Sequence, residues 1–173
     1  MAQSIVVPLI ESGGFEPHQI LGVVSHQDSV KRIQQQLPKG IQVFTSDDPR
    51  SIEAWRAPVK LLAIKPQQLA SIEQTAKKLK SEEFVEKPLL VSLLAGVRLK
   101  HLKELFRGHS CVRAVPNAPA LVAAGLTGLS LENGITTSEQ LLVEKIFNPI
   151  SDIFELPEDQ LDAFLALTSS GPA

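Results

Sequence analysis

The chain has 173 residues, 43% of them apolar and 21% charged, and a formal net charge of −2. That is enough for one domain with a real core and short for two, in an ordinary globular composition. The absence of any Lys/Arg run and the scarcity of aromatics exclude a basic nucleic-acid-binding face, so no nucleic-acid partner is expected.

The longest apolar stretch, Leu89–Val97, is broken by Ser92. It is about half the length that spans a bilayer, so no membrane partner is expected. The N-terminus lacks a charged segment followed by an apolar core, and does not read as a signal peptide. A single cysteine, Cys111, excludes an internal disulfide framework. The expectation is a reduced, cytoplasmic, single-domain protein.

In chain order, helical spacing over Gln3–Glu11 is followed by an apolar run at Ile20–Ser25, a helix at Asp28–Leu37 and a run at Ile41–Thr45. Next come Val59–Lys65 and a helix over Gln67–Leu79, then Leu89–Ala95 and a helix at Leu99–Phe106. Cys111–Val115, a helix at Pro119–Ala124, Leu126–Leu131, a helix at Ser138–Phe147, Asp152–Leu156 and a helix at Glu158–Leu167 complete the series. Strands that are continuously apolar are expected when both faces are covered, and strand alternating with helix points to βαβ units around a parallel sheet. Turn residues fall at the joints: Gly13-Gly14, Pro38-Lys39-Gly40, Gly96, Gly108, Asn133-Gly134 and Pro157. The predicted class is α/β, a doubly wound and mostly parallel sheet with seven short strands.

A doubly wound domain normally opens with a strand, a glycine turn and a helix, whereas Met1 already belongs to the first helix. The chain stops at Thr168-Ser169-Ser170-Gly171-Pro172-Ala173, directly after a helix. It reads like the middle of something. The expected division is a cofactor-binding domain over 1–157 and, over 158–173, the start of a connection to a further domain.

Ligands of such sheets bind at the carboxyl ends of the strands, which selects four places. These are Ser25-His26-Gln27-Asp28, Ala63-Ile64-Lys65-Pro66, Ala95-Gly96-Val97 and Val115-Pro116-Asn117-Ala118-Pro119. Proline after Lys65 fixes the backbone and opens the next helix. Gly96 lets a ligand ring approach the main chain. Asn117, between prolines, is expected to be rigid with donor and acceptor available. Ser25 and His26 offer a hydroxyl and a cation to a phosphate, with no arginine beside them in sequence.

Each of these, alone, is more often a simple turn. His18, His101 and His109 lack partners at metal spacing and read as surface residues, so no metal is expected. Cys111 reads as a buried small hydrophobe, Trp55 as packed, and Lys77, Lys78 and Lys80 as a solvated face.

The order of the pieces adds more. Ala63-Ile64-Lys65-Pro66, Ala95-Gly96-Val97, Val112-Arg113-Ala114-Val115-Pro116-Asn117-Ala118-Pro119 and Ser170-Gly171-Pro172-Ala173 follow one another. Together they resemble the pyrroline-5-carboxylate reductase family over essentially the whole chain. Ala118 stands where that family has threonine, and Ser169 where it has glycine.

The resemblance implies a Rossmann-like domain that binds NADPH or NADH. Ala63, Lys65 and Pro66 would line the ribose and nicotinamide, with Ala95 and Gly96 opposite. Ser25 and His26 would hold the adenosine ribose or its 2′-phosphate, and Asp48 would lie near the adenine. Asn117, Glu158 and Ser170 are the substrate-pocket candidates, with no catalytic residue assigned.

The implied activity is NAD(P)H-dependent reduction of 1-pyrroline-5-carboxylate, a small-molecule substrate, to L-proline, the last step of proline biosynthesis. The resemblance also implies a homo-oligomer, built in the family by a C-terminal helical domain that is expected to lie outside this sequence, as is the first strand. Little reductase activity is therefore expected of these residues alone. The runs Ile20–Ser25 and Val59–Lys65 would flank the absent strand and either leave a slot or close up and pair. The alternatives are a non-catalytic nucleotide-binding remnant, another Rossmann-type oxidoreductase, or an interaction protein built on an α/β remnant.

Overall fold

A computed structural model of the chain describes residues 2–78 and 87–170, with the backbone alone for 76–78 and 170. The helices are α1 (Ala2–Glu11), α2 (Gln27–Gln36), α3 (Ile52–Arg56), α4 (Leu69–Lys78), α5 (Leu99–Leu105), α6 (Thr137–Phe147) and α7 (Leu161–Leu165). The strands are β1 (Leu21–Val24), β2 (Gln42–Thr45), β3 (Val59–Leu62), β4 (Leu89–Ser92), β5 (Ser110–Pro116), β6 (Gly125–Leu131) and β7 (Ser151–Glu155). The α/β alternation is as expected from the sequence. No helix among the described residues is long and apolar enough to cross a membrane.

The continuously apolar runs become the covered centre of the sheet. Every residue of β4 and of β5 is buried. On one face, Leu89, Val91, Val112, Ala114 and Leu129 pack against Ile5 of α1 and Val143, Ile146 and Phe147 of α6. On the other, Leu62, Leu90 and Cys111 pack against Leu69 of α4 and Leu99, Leu102 and Leu105 of α5. Fully burying a leucine or phenylalanine is worth roughly 1.5–3 kcal/mol, so this double layer carries most of the stability.

Among the described residues the strands form two sheets, β1-β2 and β3-β4-β5-β6-β7. Among the described residues β1 and β3 do not pair with each other, and no strand pairs with both, so the two have not closed up. Helix α1 bridges the two sheets. Ile5 of α1 enters the core of the larger sheet, while Val6 and Ile10 pack with Val30, Ile41 and Val43 of the smaller.

Pairing is parallel except between β5 and β6. The reason lies in the connection. Parallel neighbours need a crossover of about a dozen residues or more, and Asn117–Ala124 is too short to make one. It forms a 3₁₀ turn over Ala118–Val122 instead of the expected helix and ends on Ala123 at φ +54°. The chain then returns antiparallel as β6, and α6 supplies the crossover to β7.

Two strands end three residues earlier than expected. β3 stops at Leu62 and β4 at Ser92, which leaves Ala63–Lys65 and Ala95 in the loops above the sheet. Lys65 serves as the N-cap of a 3₁₀ turn over Pro66–Gln68, so its backbone already belongs to the following element. α3 was not foreseen. It follows the short turn Pro49–Ser51, and its Trp55 packs beside the Leu62, Leu90 and Leu102 cluster.

Candidate functional site

The register of the central strands places three of the sequence candidates at one edge. Leu62 aligns with Ser92, and Ser92 with Arg113. Ala63–Pro66 and Ala95-Gly96 therefore leave the sheet at the same end, toward which β5 runs on to Pro116 and Asn117. Ser25, after β1, joins them through Gln68, whose Nε2 donates to Ser25 Oγ at 3.3 Å. The Gln68 carbonyl oxygen Oε1 also accepts from the Lys65 backbone N–H at 3.1 Å, which closes the Lys65-Pro66 turn. Gln68 is thus a bridging residue that the sequence candidates did not include.

The exposed members of this edge are Ser25, His26, Lys65, Pro66, Ala95 and Gly96. Gly96 has φ +72°, and a Cβ added there would meet nothing within 4 Å. A turn in the left-handed region with open space above it is where a flat ring can approach the backbone. His26 is the N-cap residue of α2 by position, and its side chain makes no cap hydrogen bond.

Asn117 differs from expectation. It is 4% exposed, and both ends of its amide are engaged. Oδ1 accepts from the Leu126 backbone N–H at 2.8 Å, and Nδ2 donates to the Thr168 carbonyl at 3.2 Å. The side chain expected to be available fastens β6 and the segment after α7. A buried amide with no water around it must find such partners.

Asp48 follows the carboxyl end of β2, whose last residue, Thr45, aligns with Val24 of β1. It lines a cavity of about 400 Å³ together with Gln27, Thr45, Phe44 and Arg50. Its carboxylate receives Arg50 Nη2 at 2.7 Å and Arg50 Nε at 3.0 Å, which holds its pKa well down, at about 2. The Arg50 guanidinium lies 4.4 Å from the Phe44 ring centroid. The fold thus brings an arginine into the cavity that Gln27 lines, although none neighbours His26 in sequence.

Glu158 lies over β5. Its Oε1 accepts from Arg113 Nη1 at 3.0 Å and from the Leu99 backbone N–H at 2.5 Å. It also lines a cavity of about 470 Å³ with Leu99, Ser130 and Leu156. The backbone of Ser170 is described but its side chain is not, and residues 171–173 of the Ser-Gly-Pro-Ala motif lie outside the described residues. So do the side chains of Lys77, Lys78 and Lys80.

At the opposite pole is a buried polar group that the sequence candidates did not include. Glu132 is 6% exposed and is held by Lys87 Nζ at 2.9 Å and Lys103 Nζ at 3.3 Å. His18 and His101 are exposed as expected, but His109 is half-buried and edge-on to Phe106 at 6.0 Å. Its pKa is lowered to about 4, chiefly by burial and then by the Lys60 charge. Cys111 is fully buried, and desolvation lifts its thiol to about 12, as suits an unreactive packed residue.

No family model matches the chain. A curated pyrroline-5-carboxylate reductase from Synechocystis is 32% identical over 173 residues, all of this chain and 61% of that protein. A solved pyrroline-5-carboxylate reductase from Coxiella burnetii superposes with a TM-score of 0.82 at 29% identity, covering 99% of this chain and 61% of its own.

The chain is a homologue of the pyrroline-5-carboxylate reductases. It spans about 60% of the length of the curated relatives it matches. A Plasmodium falciparum pyrroline carboxylate reductase solved with NADP bound shares the fold at a TM-score of 0.75 and 19% identity, covering 98% of this chain and 58% of its own.

Proposed function

We propose that the chain binds NADPH, or NADH, along the carboxyl edge of its strands and serves the reduction of 1-pyrroline-5-carboxylate to L-proline. The observation that carries this reading is the convergence of Ser25, Lys65-Pro66 and Gly96 on one edge, in a chain homologous over its full length to reductases of that name. The open left-handed turn at Gly96 suits a nicotinamide lying flat against the backbone. Lys65 and Pro66 would border the ribose beside it, Ser25 and His26 the adenosine ribose or its 2′-phosphate, and Asp48 the adenine end.

Bound there, the dihydronicotinamide would supply the hydride for the C=N carbon of the substrate, while the ring nitrogen carries the proton. The protein's part is placement. Lys65 adds positive charge at the mouth of the edge, and Asn117 holds the wall of the substrate side by its two hydrogen bonds. Glu158 and Ser170 border the substrate region in this reading, with residues 1–157 as the cofactor domain and a reduced cytoplasmic setting for the single buried thiol.

Titration of the purified chain with NADPH, followed by a steady-state assay with 1-pyrroline-5-carboxylate, tests it. Saturable NADPH binding that Lys65→Ala and Gly96→Ala both weaken supports the cofactor site. A chain that binds no dinucleotide at all refutes it. Turnover to proline separates a complete catalyst from a nucleotide-binding module.

A further inference from the structure

One oxygen of Glu158 ties together two parts of the fold that are distant in sequence. Oε1 accepts from the Leu99 backbone N–H, at the first residue of α5, and from Arg113 Nη1 on β5. Arg98, the residue that should cap α5 by position, makes no side-chain cap bond, so Glu158 takes that place from the turn that precedes α7. The Ala95-Gly96 turn runs through Val97 and Arg98 straight into this fastened helix end.

Arg113 is an unusual residue to find beneath it. It stands inside a strand buried throughout, is 2% exposed itself, and its Nε and Nη2 have no hydrogen-bond partner among the described residues. Besides Glu158 its charge meets Asp162 at 3.8 Å. A guanidinium so placed costs desolvation that one good hydrogen bond does not repay, and an apolar residue of similar volume is often the more stable choice in a core. Stability alone therefore does not account for an arginine here.

We propose that Arg113 is a positioning residue for the cofactor edge and acts through Glu158. Arg113 fixes the Glu158 carboxylate, the carboxylate fixes the first turn of α5, and that turn sets the height of the Ala95-Gly96 loop against the nicotinamide half of the dinucleotide. The proposal rests on the cofactor reading above, and it assigns to Glu158 a role in cofactor placement in addition to any contact with substrate.

The test separates the two halves of the cofactor. The purified full chain, Glu158→Gln, Arg113→Lys and the double variant are titrated calorimetrically with NADPH and with adenosine 2′,5′-bisphosphate, which lacks the nicotinamide. Each single change should weaken NADPH about threefold to tenfold, as loss of one charge-assisted hydrogen bond would, and leave the bisphosphate within about twofold. The double variant should be no weaker than the poorer single one, because both act through the same oxygen.

Melting curves of all four proteins accompany the titrations, and if Arg113→Lys does not fold, the near-isosteric Glu158→Gln carries the comparison. Equal losses for both ligands, or unchanged NADPH affinity in the variants, overturn the relay and leave the cofactor reading intact. A wild-type chain that binds neither ligand overturns the cofactor reading itself, and the relay with it.

Discussion

The side chain of Asn117 joins Leu126 to Thr168: its Oδ1 accepts from the Leu126 N–H at 2.8 Å and its Nδ2 donates to the Thr168 carbonyl at 3.2 Å. With the residue 4% exposed, removing the amide strands two backbone groups out of reach of bulk water. Each unsatisfied group costs about 1–3 kcal/mol. Asn117→Ala should therefore lower the unfolding free energy by about 2–4 kcal/mol in urea titration. Asn117→Asp should also destabilise, because it keeps the acceptor toward Leu126 but turns an oxygen toward the Thr168 carbonyl. A neutral Asn117→Asp would show that the Thr168 contact carries no weight.

Helix α7 is seated by a missing side chain. A Cβ on Gly128 would stand 2.8 Å from Phe164 Cδ1 and 3.0 Å from Leu161 Cδ2, whereas one on Gly125 would stand 2.8 Å from the backbone N of Ala120. Side-chain ends can rotate away and backbone cannot. Gly128→Ala is expected to cost about 1–3 kcal/mol, the usual range for overpacking, and Gly125→Ala distinctly more. Urea midpoints of the two variants measured side by side check the order, and the reverse order would mean that the Ala118–Val122 turn yields more easily than α7.

Most of the architecture was legible because it rests on local signals. Largely apolar runs at Leu89–Ala95 and Cys111–Val115 marked the two-sided core, and Pro66 and Gly96 marked the turns above it. What was not legible depends on long-range placement. The antiparallel β6 follows from a connection too short to cross over, which helical spacing at Pro119–Ala124 masked. The split between β1 and β3 was raised as one of two outcomes, and only the pairing itself decides it. Gln68 and Glu132 carried no pattern at all, since a glutamine in a helix and a glutamate before Asn133-Gly134 look like solvated residues. Arg113 had a usable signal, a lone charge inside an apolar strand, because a charge buried there must have a partner.

His109 gives a pH dependence with a definite sign. Its imidazole has a pKa of about 4 in the folded chain, against an ordinary value of 6.5, because burial and the Lys60 charge oppose protonation. Between those two values the unfolded chain takes up a proton that the folded chain refuses, so stability falls as pH falls through that window and levels off for this group below it. His109→Gln removes the titration. The urea midpoint of the wild type should drop further between about pH 7 and about pH 5 than that of the variant. Parallel drops in the two proteins would mean that His109 protonates freely in the native state.

Gly96 offers the cleanest separation of binding from packing. Its φ of +72° lies in the left-handed region, where an L-residue pays about 1–2 kcal/mol, and a Cβ there meets no atom within 4 Å. Gly96→Ala should therefore cost only that backbone strain and clash with nothing in the protein itself. The added methyl projects into the open space above the turn, where the cofactor reading lays the nicotinamide. NADPH affinity should fall about tenfold or more, well beyond what the small loss of stability can transmit to a chain that stays folded. Adenosine 2′,5′-bisphosphate, which does not reach Gly96 in this reading, should bind as it does to the wild type. An alanine variant that binds NADPH unchanged would remove Gly96 from the nicotinamide side of the site, and with it the geometric argument for the orientation of the cofactor along this edge.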